Sequence, residues 1–229
     1  DYGGGVLCSG MDGETLLLVW IADGALWRQD WRLPPLGDNR TEPLMAPLKL
    51  TRDGDWQLAD GLLDLKRRRW LGIREINGID QLVSADLDAT QQEPELQHQP
   101  ADFAGYGCLS ADGTQLAWVE WQQAAMPWQS SELWCADLSP SGELSEARAV
   151  AGGEGVSVFQ PQWLPDGSLL VAEDSDGWWN LKRRRPGSTT WENPWPMTAE
   201  TAMPQWIYGM STTAWDGEQL LAATCCDGC

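Results

Sequence analysis

Short apolar runs alternate with turn residues along this chain. In residues 159–181, written FQPQWLPDGSLLVAEDSDGWWNL, the runs are separated by Pro165-Asp166-Gly167 and by Asp176-Gly177. Asp accepts a local backbone hydrogen bond in such turns, and Gly takes a positive φ at no steric cost. The aromatic and branched residues of the runs favour a pleated surface. The segment therefore predicts three antiparallel strands.

The same unit recurs along the sequence. Asp-Gly pairs that lead into an apolar run follow one another at intervals of about 50 residues, a period typical of one four-stranded propeller blade. They are Asp12-Gly13, Asp60-Gly61, Asp112-Gly113, Asp166-Gly167 and Asp216-Gly217. One such pair is common by chance, whereas five in phase indicate a repeat. We therefore predict an all-β fold, a β-propeller with about four four-stranded antiparallel blades and part of a fifth in an incomplete ring.

The predicted blades follow one another in a single domain of 229 residues. Their approximate bounds are 3–51, 56–98, 102–151, 157–199 and 205–229, the last one incomplete. No linker or low-complexity segment separates them. Additional hairpin turns are predicted at Asp23-Gly24 and Asn77-Gly78. The composition agrees with this fold, because sixteen Trp residues stand against two Phe and three Tyr, and propeller blades pack aromatic rings between their sheets.

The formal net charge of −19 bears on the class of partner. Phosphate contacts need clustered Lys and Arg, so neither nucleic acid nor an anionic membrane is an expected partner. Two basic runs stand out against this charge, Lys66–Arg69 and Lys182–Arg185. We interpret the first as a solvated turn and the second as the exit of a strand, with a nucleic-acid patch as the less favoured alternative. No apolar run reaches the roughly 18 residues of a membrane span.

The six Cys residues bear on cofactors and on the cellular compartment. Cys8, Cys108 and Cys135 lie in or beside predicted strands, and we interpret them as small apolar residues. Cys226-x-x-Cys229 has metal or redox spacing, but a second pair of ligands is missing and the only His, His98, is far away in the sequence. We therefore expect no metal or other cofactor, and a reducing, cytoplasmic location. Because the sequence does not begin with Met, a preceding targeting segment stays open.

Four strings of the sequence carry a resemblance to one family. They are MPW from Met126, FQPQW from Phe159, GWWNL from Gly177 and PQWIYGMS from Pro204, and Tyr2-Gly3-Gly4-Gly5 adds to them. With these strings, nearly the whole chain resembles the propeller domain of the prolyl-oligopeptidase family of serine peptidases, in its acylaminoacyl-peptidase or dipeptidyl-aminopeptidase-like branch. The resemblance implies a propeller beside an α/β-hydrolase domain. In that arrangement the propeller caps the active site and restricts entry to short or unfolded peptides.

The sequence departs from the family in its catalytic part, because the hydrolase domain is absent from it. Such a domain needs a Gly-x-Ser-x-Gly elbow followed by Asp and His. The nearest string, GVSVF at 155–159, ends in Phe rather than Gly, and the only His, His98, therefore has no elbow serine to activate. No catalytic residue is therefore carried over, and we expect this chain to be inactive alone. The complete enzyme would carry its elbow beyond Cys229.

Four residues are candidates for substrate contact by the same resemblance. A propeller carboxylate could pair with a peptide amino terminus, beside aromatic and apolar side chains of a long connection between strands. The candidates are Glu120, Trp121, Met126 and Trp128. Core packing or solvation at a rim is the more favoured interpretation, and substrate contact is the alternative to it.

Three functional hypotheses follow. The leading one is the non-catalytic propeller portion of a peptidase, which gates peptide access in the complete enzyme and has the hydrolase domain and a peptide as partners. The alternative is a stand-alone TolB-like or WD-repeat-like propeller that acts as a protein- or ligand-binding scaffold. A third, a five-bladed glycosidase, needs paired carboxylates that converge in the channel. It is the least favoured, because the Asp and Glu residues mostly fall in turns.

Overall fold

The computed structural model describes residues 3–34 and 41–226. The chain divides into two compact units, Asp1–Gln99 and Pro100–Cys229. The described residues form antiparallel sheets, and their single helical segment is a 3-10 turn at Leu65–Arg67. None of the helical structure described is long and apolar enough to cross a membrane. Two residues noted in the sequence, Tyr2 and Cys229, lie outside the described residues.

The first unit contains two sheets. In one, the strand order is β1-β2-β3-β4, and β5 also pairs with β3; the strands are β1 Leu7–Asp12, β2 Thr15–Ala22, β3 Ala25–Arg32, β4 Glu42–Pro43 and β5 Leu48–Lys49. In the other, the order is β6-β7-β8-β9; the strands are β6 Gln57–Asp64, β7 Arg69–Ile76, β8 Ile79–Asp86 and β9 Glu95–His98. Apolar side chains of both sheets, including Leu17, Leu26, Trp70 and Val83, form one buried cluster.

The second unit contains three sheets. The first has the order β10-β11-β12-β13, with β10 Phe103–Leu109, β11 Gln115–Trp121, β12 Ser131–Leu138 and β13 Leu144–Gly153. The second has the order β14-β15-β16, with β14 Val158–Trp163, β15 Leu169–Glu173 and β16 Asn180–Arg184. The third is the hairpin of β17 Thr213–Trp215 and β18 Leu220–Ala222. An isolated bridge joins Arg183 to Glu192. The all-β antiparallel class is confirmed, whereas the number of blades and the ring stay predictions.

Most of the predicted turns are present. Asn77-Gly78 connects β7 to β8 with φ values of 55° and 80°, the left-handed pair that a two-residue type I′ hairpin needs. The Asp166-Gly167 turn joins β14 to β15, and Gly167 has a φ of 79°. Pairs at Asp12, Asp112 and Asp216 likewise fall in hairpin connections. The period-based prediction of these connections is therefore confirmed.

The prediction for Asp60-Gly61 is wrong. This pair lies inside β6, where the register with β7 shifts between Ala59 and Leu62. One extra residue on one strand is a β-bulge, and Asp60 has the positive φ of 50° that accompanies it here. Gly61 is required, because a Cβ there would lie 1.8 Å from Trp70 Nε1. The chain turns later, through the 3-10 segment and Arg68.

The same bulge recurs in the first strand of two further sheets. The register of β10 with β11 shifts between Gly105 and Cys108, and that of β14 with β15 shifts between Phe159 and Gln162. Tyr106 and Gln160 occupy these bulges with φ values of 58° and 49°. Because a bulge re-aims the side chain at its position, both residues reach a segment far along the chain, described below.

The two basic runs differ from each other in the structure. The first is not a solvated turn: Arg67 and Arg69 are largely buried, and both form ion pairs with the buried carboxylate of Asp64, at 2.9 Å and 3.0 Å. A buried carboxylate is stabilised only when it is paired and hydrogen-bonded, and these two guanidinium groups supply both. The second run ends strand β16, as the sequence indicated, and continues into the turn after it.

Candidate functional site

The four predicted contact residues lie in the second unit, on one strand and the connection that follows it. Glu120 and Trp121 end β11, whereas Met126 and Trp128 belong to the connection 122–130 between β11 and β12. Successive side chains of a strand point to opposite faces of the sheet. Glu120 and Trp121 therefore project away from each other, and the four residues do not form one cluster.

The carboxylate of Glu120 is buried in the fold. Glu120 is 7% exposed, and its Oε1 accepts a hydrogen bond of 2.7 Å from the indole Nε1 of Trp118. Across the sheet, Glu132 accepts the same kind of bond from Trp134, at 3.1 Å, and the two indole rings stack. This arrangement explains why the strand carries a Glu two residues after a Trp: the carboxylate satisfies a buried indole N–H.

Trp121 belongs to an aromatic cluster. Its ring centroid lies 5.8 Å from that of Phe103 and 6.4 Å from that of Tyr208. Tyr106 extends the cluster with edge contacts to Tyr208 and Phe159. Trp121 is 3% exposed, so its role in the described structure is packing, and it supports the segment that contains Tyr208.

Trp128, which is half-buried, forms an aromatic pair with the exposed Trp206. Their ring centroids are 4.3 Å apart and their planes are inclined at 46°. Trp206 is 61% exposed, and Ile207 beside it is also exposed, as is Met126 on the first segment. Exposed apolar groups that gather in one place mark interaction surfaces. We call Trp128 and Trp206 the tryptophan pair.

Trp206 was not among the predicted contact residues, although it lies in the PQWIYGMS string. In that string Gln205 and Tyr208 are buried, whereas the two residues between them are exposed. Without the fold, an apolar Trp-Ile step is indistinguishable from a buried strand, because burial depends on which element lies opposite.

Hydrogen bonds fix the backbone on which Trp206 stands. The Tyr208 hydroxyl donates to Ala104 O and the Tyr106 hydroxyl donates to Ile207 O, each at 2.8 Å. Gln205 Nε2 donates to Val158 O, also at 2.8 Å. These three bonds tie the segment to strands β10 and β14. The exposed ring of Trp206 therefore rests on an ordered support.

The bulge residue Gln160 secures the end of the same segment. Its Nε2 donates to Ser211 Oγ and to Thr213 O, both at 2.7 Å. Its Oε1 accepts from the backbone N–H groups of Thr212 and Thr213, at 2.8 Å and 3.1 Å. A primary amide has two donor hydrogens and two acceptor lone pairs, and all four are used here.

Ser157 links the residue before Trp128 to a carboxylate. Ser157 Oγ donates to Pro127 O at 2.9 Å, and the N–H of Ser157 donates to Asp174 Oδ1 at 2.7 Å. Partial burial raises the pKa of the Asp174 carboxyl above its ordinary value, against the lowering effect of the Ser157 N–H. Pro127, the residue before Trp128, thus accepts a hydrogen bond from Ser157, and the backbone N–H of Ser157 is in turn bonded to the Asp174 carboxylate.

Three of the four strings that carry the family resemblance meet in this region. The MPW string supplies Pro127 and Trp128, FQPQW supplies Gln160, and PQWIYGMS supplies Trp206. In GWWNL, Asn180 donates to the carbonyls of Met197 and Ala199 and accepts from Met197 N–H. The strings therefore belong together because their residues join distant segments of one unit.

The Cys and His residues of the chain show no sign of a catalytic or metal site in the described residues. Burial raises the pKa of the Cys8 thiol to about 12, and it also raises the pKa of Cys108 and of Cys135 above the ordinary value. These thiols stay protonated at neutral pH, which agrees with their interpretation as small apolar residues. His98 ends strand β9, as expected from the sequence. Within 3–34 and 41–226, no group of three or more His, Cys, Asp or Glu residues could hold a metal ion.

Comparison with known proteins gives matches at the level of structure. Puromycin hydrolase is similar over 93% of this chain, with 27% sequence identity and a TM-score of 0.80. A puromycin-hydrolyzing peptidase of Mycobacterium tuberculosis is similar over 98% of the chain, with 25% identity and a TM-score of 0.80. Prolyl oligopeptidase B of Galerina marginata, at 12% identity and a TM-score of 0.57 over 88% of the chain, shares the fold.

No protein-family model matches the sequence, and a comparison with curated protein sequences finds no match. The chain spans 34% of the length of puromycin hydrolase, 36% of the mycobacterial peptidase and 30% of prolyl oligopeptidase B. The structural likeness is thus to one part of longer peptidases, as the sequence strings indicated. The resemblance to the propeller domain of the prolyl-oligopeptidase family of peptidases, which the sequence strings indicated, is thereby confirmed as a likeness of structure.

Proposed function

We propose that this chain is the non-catalytic propeller portion of a peptidase, and that it caps the active site of a hydrolase domain and gates the access of peptides. The tryptophan pair is the observation that carries this proposal. Its Trp206 ring is exposed, the pair stands on a hydrogen-bonded support, and it lies within a fold similar to that of puromycin-hydrolysing peptidases. In the proposal, the pair receives a side chain of the incoming peptide.

The geometry of the pair suits a small substrate. Two rings inclined at 46° offer an aromatic face and an edge to a third apolar or aromatic group. Their support is ordered before binding, so little conformational entropy is lost when a ligand arrives. A net charge of −19 attracts a protonated peptide amino group. These properties favour short peptides with a free amino terminus and an apolar or aromatic side chain.

A stand-alone TolB-like scaffold is not favoured as the function. Two likenesses that go beyond a shared fold are to puromycin-hydrolysing peptidases, each over more than nine-tenths of the chain. A shared propeller fold alone would not distinguish a scaffold from a peptidase portion.

An exchange of segments tests the gating role. The part of puromycin hydrolase that matches this chain is replaced by this chain, and hydrolysis is measured for a tripeptide and for the same residues displayed in a loop of a folded protein. We expect the hybrid to hydrolyse the tripeptide and to leave the folded protein intact. A hybrid that cleaves both substrates at the same rate would contradict the gating role.

The tryptophan pair is tested in the same hybrid. Replacing both rings by Ala is expected to raise KM for the tripeptide about threefold to tenfold while kcat is retained, because uniform binding is lost and the reacting groups are untouched. The control is Trp195→Ala, an exposed Trp in the stretch 191–196, which is expected to leave KM unchanged.

A further inference from the structure

One face of the first sheet in the first unit is apolar. Residues that lie directly opposite one another on neighbouring strands share a face of the sheet. We call the face made by three such rows across β1, β2 and β3 the outer face; its residues are Leu7, Trp20 and Trp27, then Ser9, Leu18 and Gln29, then Met11, Leu16 and Trp31. Seven of these nine residues are apolar and none is charged.

The two faces of this sheet differ in burial. On the inner face, Leu17 and Val19 of β2 are 1% exposed and belong to the buried cluster that joins the two sheets of the first unit. On the outer face, Leu18 between them is only half-buried, and Leu7 and Met11 of β1 are 61% and 47% exposed. The sheet therefore has one face in the core and one apolar face that solvent reaches.

The sequence of β2 is typical of a strand that is buried on both faces. Residues 16–21, LLLVWI, form an uninterrupted apolar run, whereas a strand with one solvated face alternates apolar and polar residues. Strand β15 has a similar run that is covered on both faces, since its residues 169–172 are at most 2% exposed. The outer face of β2 therefore lacks the covering layer that its sequence pattern calls for.

Charge favours the outer face as the surface on which two copies of this chain meet. With a net charge of −19, two copies repel one another wherever their acidic surfaces approach. The outer face carries no carboxylate. Lys49 borders it, 5.8 Å from the centroid of the Trp27 ring, and its charge is compensated by Asp53. Two copies can therefore join their outer faces without placing carboxylates of these faces against one another.

We propose that the outer face is a dimer interface, and that the outer face of a second copy of this chain covers it. A patch that is used by both copies gives a two-fold symmetric contact, which closes at two chains. Two sheets pack face to face about 10 Å apart, with their strands inclined by about 30° and their side chains interdigitated. The dimer thus supplies to β2 the second layer that its apolar run lacks.

The size of the outer face fits a reversible dimer. A fully buried aromatic side chain covers about 150 to 250 Å², so the exposed parts of the seven apolar side chains amount to on the order of 500 Å² in each copy. Specific complexes bury about 600 to 1,000 Å² on each partner. The outer face lies near the lower limit of that range, and we expect a dissociation constant of about 10 μM.

Analytical ultracentrifugation of the 229-residue chain tests the proposal. Between about 1 and 200 μM, the mass should rise from that of one chain to that of two and should rise no further. Raising NaCl from about 0.05 to 0.5 M should strengthen the association about threefold, because salt screens the repulsion between the two negative chains. A single chain at every concentration would overturn the proposal, as would a series that continues beyond two copies or an association that salt weakens.

Variants place the interface. Leu7→Glu and Met11→Glu should each weaken the association at least about tenfold, because each buries a carboxylate between the two sheets. Both side chains are exposed in the single chain, so the variants should unfold in urea as the unchanged chain does at concentrations below 1 μM, where it is monomeric.

The matched control for these variants is Leu96→Glu in β9. Leu96 is 48% exposed and lies in the other sheet of the first unit, so the control adds the same charge away from the outer face and should dimerise normally. Unaltered association in both outer-face variants, or an equal loss in the control, would refute the assignment of the interface. The outer face and the tryptophan pair lie in different units, so these results do not bear on the proposed function.

Discussion

Replacement of Trp206 separates a binding role from a packing role. Because Trp206 is 61% exposed, its removal uncovers little buried apolar surface, and Trp206→Ala should lower the free energy of unfolding by less than about 1 kcal/mol. Trp121, at 3% exposure, is the opposite case, and Trp121→Ala should cost about 3 to 5 kcal/mol. Urea unfolding of both variants measures this difference.

The effect on binding is set by the loss of one aromatic contact. Such a contact contributes about 0.5 to 1.5 kcal/mol beyond the area buried, which corresponds to a loss of affinity of about twofold to twelvefold. The assay is calorimetric titration with the tripeptide Phe-Gly-Gly. Ala-Gly-Gly, which lacks the aromatic ring, should bind the unchanged chain and Trp206→Ala with the same affinity.

Two further variants test the role of the tryptophan pair in binding. Trp128→Ala should weaken Phe-Gly-Gly as much as Trp206→Ala, and the double variant should lose less than the sum of the two, because rings 4.3 Å apart form one surface. The control Trp195→Ala should bind normally. Equal affinity of Trp206→Ala and the unchanged chain would refute the role of the pair, as would an equal loss in the control.

Three further predictions concern stability and chemistry. Gln160→Met should lower the free energy of unfolding in urea by about 2 to 4 kcal/mol, because it removes four hydrogen bonds. The control is Gln162→Met, which should cost less than about 1 kcal/mol because the Oε1 of Gln162 has no partner in the described structure. Equal costs would contradict the bonding of Gln160. The hydrogen bond from Arg68, with one from Arg28, lowers the pKa of Asp88 to about 2. The stabilisation of the fold by the Asp88 carboxylate is therefore complete above the ordinary carboxyl pKa of about 3.9 and is lost as pH falls towards 2. Asp88→Asn should be less stable than the unchanged chain by at most about 1 kcal/mol at pH 6, and this difference in stability should close at pH 2. A fluorophosphonate probe should leave the 229-residue chain unlabelled in intact mass, because the sequence has one His and no nucleophile elbow; labelling of one Ser that His98→Ala abolishes would show an active site.

The repeat was predictable because its signals are local. An Asp-Gly or Asn-Gly step fixes a turn through its own backbone preferences, as at Asn77-Gly78. The same step at Asp60-Gly61 forms a bulge, and there the deciding contact comes from Trp70, nine residues away, whose indole leaves no room for a Cβ. Local sequence cannot distinguish these two outcomes, since both use a positive φ.

The candidate site was predictable only in part. The resemblance pointed to Trp128 within the MPW string, and the structure places that half-buried residue against the exposed ring of Trp206. Its partner Trp206 follows in sequence after the rest of the same sheet and one further sheet, and only the folded chain brings the two rings together. Glu120 was selected for its charge, but its carboxylate accepts a hydrogen bond from the neighbouring indole of Trp118. Side-chain partners of this kind depend on register, which composition does not reveal.

The coding sequence that follows Cys229 tests the central proposal most directly. If this chain is the propeller of a peptidase, the reading frame continues into a hydrolase domain with a Gly-x-Ser-x-Gly elbow, followed in order by an Asp and a His. A stop codon soon after Cys229, in a transcript verified from the source, would contradict the proposal that the chain caps an active site of its own protein.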